Sequence, residues 1–130
     1  MILSFGQCVA VAAGGAVGCL CRYAAQVSCL ASVGKAVPTL AVNIAGCLLI
    51  GIVSVFVDHL NPAPWVRLLC VTGFLGGFTT YSTFALDSVN IAQTDSLLHA
   101  AIYVFVTVIG GVAACLTGRY AAVKVLELLG

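Results

Sequence analysis

Four stretches of this chain carry no charged side chain at all: residues 2–21, 36–57, 68–86 and 96–118. They contain 20, 22, 19 and 23 residues. A helix rises 1.5 Å per residue, so about 20 residues cross a hydrocarbon core of about 30 Å, and every stretch is long enough. The chain has only five Lys or Arg and four Asp or Glu in 130 residues, which is 7% charged, against about 25% in soluble domains. At 62% apolar, its natural solvent is the lipid bilayer. A cytosolic enzyme and a disordered tail are excluded on the same ground. A net charge of +1 leaves no electrostatic footprint for nucleic acid.

The spacing predicts an all-α membrane protein with four transmembrane helices in a single domain over residues 1–130, with spans near 2–31, 37–57, 65–91 and 97–124. Short connectors carry the turn chemistry. Ser32 to Pro38 separates the first two spans, and Asp58 to Trp65, with Pro62 and Pro64, separates the next two. Trp65 is placed as an interfacial anchor, and the last connector lies near Gln93-Thr94-Asp95. The first run lacks a basic leader, having no Lys or Arg before Arg22, and reads as a retained span rather than a signal peptide.

Glycine is abundant, at 14 residues, and Gly14-x-x-x-Gly18 and Gly73-x-x-x-Gly77 both fit the small-residue pattern of close helix packing in membranes. If the spans alternate, Arg67, Arg119 and Lys124 share a face with both termini, while Arg22 and Lys35 lie towards the other. Three against two gives orientation almost no bias. Such a chain is open to insertion both ways and to pairing as an antiparallel couple.

Seven cysteines invite a metal or redox reading, but their count is odd and no Cys-x-x-Cys is present. In apolar runs Cys behaves as a small hydrophobe, and packing is the reading adopted for all seven. His59 and His99 sit at span ends without a partner at ligand spacing. The carboxylates weigh against a small four-helix multidrug-type cation exporter, which needs one inside the membrane. Asp58, Asp95 and Glu127 fall in connectors or the tail, and Asp87 at the end of the third run. That exporter is nonetheless the alternative function for a chain of this size.

The most informative segment is Gly73-Phe74-Leu75-Gly76-Gly77-Phe78-Thr79-Thr80-Tyr81-Ser82-Thr83-Phe84, in the middle of the third run. Five consecutive hydroxyl side chains follow three glycines at bilayer depth. Each Gly costs about 1 kcal/mol relative to Ala in a helix, and Ser and Thr compete for backbone partners. The segment predicts a broken third helix, whose freed carbonyls can bind a cation where the break is buried in protein or lines a cavity. The alternative is a continuous, glycine-softened helix with hydroxyls bonded to its own carbonyls. Where helical, Tyr81 and Phe84 share a face, and Thr79, Thr83 and Asp87 form a stripe at four-residue spacing. Tyr103 and Thr107 repeat the device in the fourth span, and the second contributes Asn43. Uncharged O–H and N–H donors and the positive edges of aromatic rings suit an anion, which a carboxylate would repel. An ion shorn of water must find such donors along a permeation path.

These residues resemble a known family, the small fluoride channels called Fluc or CrcB. The resemblance rests on Gly14-Gly15-Ala16-Val17-Gly18 with Arg22-Tyr23, on Pro38-Thr39-Leu40-Ala41-Val42-Asn43, and above all on the run Gly73 to Phe84. It implies an antiparallel, dual-topology homodimer in the bacterial cytoplasmic membrane, with two fluoride pores and passive export of fluoride. It further implies a structural sodium ion held by backbone carbonyls of Gly76 and Thr79 from both subunits. By the same resemblance Tyr81 and Phe84 match the aromatics whose edges face the ion, Asn43 the second-helix donor, and Ser82 and Thr83 the polar track beside them. Tyr103 and Thr107 match the fourth-helix polar positions. Tyr81 stands where Phe is usual, and Gly111 where a hydroxyl commonly continues the line after Thr107.

Overall fold

Apolar runs that cannot be wetted become helices, because only a helix satisfies every backbone group within one segment. The computed structural model, which describes residues 4–28, 34 and 36–129, contains four helical spans long and apolar enough to cross a membrane. The first is α1 (Phe5–Ser28) and the second α2 (Val37–Leu60). The third, Pro64–Thr94, is composite: α3 (Pro64–Arg67), a π-helical segment (Leu68–Leu75), α4 (Gly76–Phe78) and, after a break, α5 (Tyr81–Thr94). The fourth is α6 (Leu97–Leu129). No strand occurs among the described residues. Residues 2, 3 and 29–31 of the expected first span lie outside those described, as do Cys29, Ser32, Val33 and Lys35.

Local chemistry sets the ends. Pro38 sits in the first turn of α2, where a missing N–H costs nothing. That helix stops at Asn61, which adopts the left-handed conformation (φ 42°, ψ 54°) and donates its N–H to Val57 O. Pro64 then opens α3. The fourth span outruns its expected end: α6 has 33 residues, about 50 Å of helix, and extends beyond the hydrocarbon to Leu129.

Most large apolar side chains face outwards, as lipid-exposed surface should, and contact between helices falls to small residues. The two glycine motifs prove to be each other's partner. A Cβ at Gly14 would overlap Leu69 O and one at Gly18 would overlap Phe74 O, while one at Gly77 would lie 2.6 Å from Gly15 O. So α1 runs backbone against backbone along the first half of the third span. The second tight seam joins α2 to α6, where a Cβ at Gly51 would overlap Cys115 O and one at Gly118 would overlap Leu48 O. Between these seams, α5 leans on α6 through Phe84 and Tyr103, both 8% exposed.

Candidate functional site

The third helix does break, but after the glycines rather than at them. Gly73 lies in the π-helical segment, where the Gly76 N–H reaches both Gly73 O and Val71 O, and Gly76 and Gly77 remain helical. Thr79 (φ −85°, ψ 161°) and Thr80 (φ −148°, ψ 110°) are extended. The hydroxyl run, not the glycine run, supplies what holds the break open.

Several of the backbone groups released there find named partners. The Thr79 N–H and hydroxyl both donate to Leu75 O, at 3.1 and 3.0 Å, which closes the first half. The Thr80 N–H turns away and donates to Asn43 Oδ1 at 2.8 Å, while Asn43 Nδ2 donates to Thr80 O at 3.0 Å. The Thr80 hydroxyl oxygen accepts from the Thr83 N–H at 3.3 Å and donates to Thr83 Oγ1 at 2.8 Å, capping α5. Arg22 Nε, from α1, donates to Gly77 O at 3.1 Å.

These diversions have a definite residue. In an unbroken helix the Thr80 N–H would bond Gly76 O and the Thr83 N–H would bond Thr79 O. Here the first goes to Asn43 and the second to the Thr80 hydroxyl, so the carbonyls of Gly76 and Thr79 lose their helical donors. Gly77 O, between them, is taken by Arg22. Hard oxygen ligands of this kind suit a small hard cation. The stripe expected of Thr79, Thr83 and Asp87 does not form, because the extended backbone puts Thr79 on the other half of the span with its hydroxyl on Leu75 O.

Asn43, Gly76, Thr79, Tyr81, Phe84 and Thr107 line a single groove of about 410 Å³. The Tyr81 and Phe84 rings lie 5.7 Å apart, and Phe84 lies 5.7 Å from Tyr103, so three aromatics form a row from α5 to α6. Tyr103 joins the site only through Phe84 and is not on the groove wall. The hydroxyl of Thr107, on the groove wall, donates to Tyr103 O at 2.7 Å. Asn43 has spent one amide hydrogen on Thr80 O and keeps the other. Ser82 and Thr83 are not on the wall: Ser82 is exposed, and Thr83 is half-buried against Thr80. No carboxylate or cation lines the groove. On its open side Tyr81 is 80% exposed.

Three residues were given less than their part by the sequence. Thr80 is both clamp and cap, and the Thr80-x-x-Thr83 spacing, that of an N-cap with a polar third residue, was the available signal. Arg22 reaches a backbone carbonyl that nothing local in the sequence marks. Asp87 lies inside the third span, not at its end: α5 continues to Thr94, and Asp87 Oδ2 is buried. Asp87 thus lies within the expected span of 65–91 but away from its middle, and the groove itself has no carboxylate. Gly111 is buried on the groove wall, and a Cβ there would lie 3.2 Å from Cys47 Sγ, so the thiol fills the space a hydroxyl side chain would need. Among the described residues no group of three His, Cys, Asp or Glu could hold a metal.

Known proteins resemble this chain in sequence across nearly its whole length. The family described as "CrcB-like protein, Camphor Resistance (CrcB)" matches residues 9–119. A protein of Rhizobium leguminosarum bv. trifolii named fluoride-specific ion channel FluC is 40% identical over 115 residues, 86% of this chain and 92% of the relative. Relatives of the same name from a Geobacter species and from Francisella tularensis subsp. mediasiatica are 40% and 37% identical over 126 and 124 residues. These cover 95% and 90% of this chain, and 98% and 95% of the relatives.

Proposed function

The chain belongs to the CrcB-like family, and from that membership we infer that it is a fluoride-selective ion channel, a multi-pass protein of the bacterial cell membrane. It lets fluoride leave the cytoplasm down its gradient and catalyses no reaction. The observation that carries this reading is the groove, lined by Tyr81, Phe84 and an Asn43 with one amide hydrogen unspent, and with no carboxylate on its wall. Such a wall replaces the hydration of a small anion without repelling it.

One chain does not finish the path. An extended backbone at membrane depth is tolerated only when covered by protein or lining a cavity, and here the break opens to one side with Tyr81 exposed. A second copy of this chain, inserted antiparallel, is the partner that a near-balanced distribution of Lys and Arg allows. Across such a pair the Gly76 and Thr79 carbonyls, deprived of helical donors, would hold a structural sodium ion. When bound, that ion would offset the partial negative charge of those carbonyls. Tyr103 and Thr107 would continue the fluoride path along α6, while Ser82 and Thr83 would flank it on α5.

The test is fluoride efflux from liposomes carrying the purified protein, with an ionophore balancing charge. Fluoride should leave while chloride is retained. Equal passage of chloride, or no fluoride release, would overturn the reading. Cysteines introduced at the two ends of α6 should cross-link in antiparallel combination, and parallel products alone would exclude the proposed pair.

A further inference from the structure

Two buried side-chain atoms among the described residues lack a hydrogen-bond partner, the Tyr103 hydroxyl and Asp87 Oδ2. Both belong to the contact between α5 and α6: Asp87 lies one helical turn beyond Phe84 on α5, and the Phe84 ring packs 5.7 Å from that of Tyr103. No hydrogen bond closes between them, although Tyr103 is only 8% exposed. Buried polar groups are nearly always bonded, and an unpaired one is costly in apolar surroundings. The pair stands at the α6 end of the aromatic row, where an ion leaving the edge of Phe84 would arrive.

A phenol has one hydrogen to donate. Two acceptors can claim that of Tyr103: the Asp87 carboxylate, fixed on α5, and a fluoride ion coming off Phe84. We propose that Asp87, unbonded to Tyr103 in this structure, is an acceptor that competes with permeating fluoride for the Tyr103 hydroxyl, and so sets how readily the ion is released at this end of the row. The inference rests on the fluoride-channel reading and adds to it a residue on the third span that acts through another. The logic is that of any conducting site: binding must be favourable enough for entry and weak enough for exit. A donor shared with a carboxylate binds the ion less tightly than an undivided one and hands it on sooner. It also explains why an acidic side chain can stand beside an anion path without lining its wall.

The competition predicts a split between affinity and rate. With Asp87→Asn a neutral oxygen replaces a charged acceptor, so the half-saturating fluoride concentration for liposome efflux should fall about fivefold, and the saturating rate should fall with it. Asp87→Leu, similar in shape and without a polar atom, must reproduce both changes. Tyr103→Phe keeps the ring against Phe84 and removes the contested hydrogen, so in that background neither substitution at Asp87 should alter affinity. An equal effect with and without the Tyr103 hydroxyl would mean simple charge repulsion and would overturn the proposal. So would wild-type affinity in both Asp87 variants. Wild-type efflux in the same liposomes separates the two levels: with fluoride carried normally and no coupling, only the role of Asp87 fails, whereas no wild-type fluoride efflux defeats the channel reading itself.

Discussion

Asn43 and Thr80 are joined by two hydrogen bonds, Thr80 N–H to Oδ1 at 2.8 Å and Nδ2 to Thr80 O at 3.0 Å, so that one side chain on α2 holds both backbone groups of one residue in the third span. An amide is the only uncharged side-chain group that offers a donor and an acceptor with the spacing of a peptide. Asn43→Ala should strand both backbone groups and lower stability by about 3 kcal/mol, read as a fall in melting temperature in detergent, with loss of fluoride flux. Asn43→Asp keeps the acceptor for the Thr80 N–H but loses the donor and brings a negative charge to the groove. Its stability should lie between those of Ala and wild type, while its flux falls as far as that of Ala.

The glycine seam between α1 and the third span makes a sharper distinction among neighbours. Gly14→Ala and Gly18→Ala each drive a methyl into a backbone carbonyl, of Leu69 and Phe74 respectively, and backbone cannot swing aside. Each should destabilise by about 2 kcal/mol or more. At Gly15 the nearest atom to a new Cβ is Gly73 O, at 3.9 Å, ordinary van der Waals contact. Gly15→Ala should therefore be neutral or stabilising by up to about 1 kcal/mol through helix propensity. Thermal denaturation of the three variants side by side checks this, and equal losses would refute backbone contact as the cause.

The spans were legible because charge is so scarce that its gaps mark the membrane, and the break because five hydroxyl residues follow three glycines. What the sequence left out is relational. Glycine content pointed to the glycines as the weak place, yet they stay helical because α1 packs on them, and the break falls at Thr79 and Thr80, where Asn43 waits 37 residues away. No local pattern reveals that Arg22 would take Gly77 O, across 55 residues. The run of uncharged residues ends at Leu86 whereas the helix does not end until Thr94, so the run alone understates how far the span continues past Asp87.

Phe84 and Tyr81 form one aromatic contact but should respond differently to substitution. Phe84 is buried between Tyr81 and Tyr103, and its ring edge is its only polar feature. Phe84→Ile keeps an apolar side chain and should cost about 1 kcal/mol in stability, yet reduce fluoride flux at least tenfold, or about 1.4 kcal/mol in barrier height. Tyr81→Phe keeps the ring and should hold flux within about twofold of wild type. Wild-type flux in Phe84→Ile, measured on protein that still elutes as the native oligomer, would remove Phe84 from the path.

Arg22 offers a way to probe the cation site without measuring flux. Its Nε occupies Gly77 O, so that carbonyl is withheld from the proposed sodium, which would meet Gly76 O and Thr79 O of each chain. Sodium should therefore raise the melting temperature of the wild type in detergent relative to a bulky organic cation, because it binds the folded pair alone. Arg22→Met frees a third carbonyl per chain. In the organic cation it should be less stable than wild type by about 2 kcal/mol, the cost of an unpaired buried acceptor. In sodium it should recover part of that loss, since the extra oxygen is within the same break and no longer faces a guanidinium. Arg22→Lys, which can still donate one N–H to Gly77 O, should lie closer to wild type in both solutions. A melting temperature insensitive to sodium in all three proteins would dismiss the carbonyl site, whereas a sodium response identical in Arg22→Met and wild type would dismiss only the part assigned to Arg22.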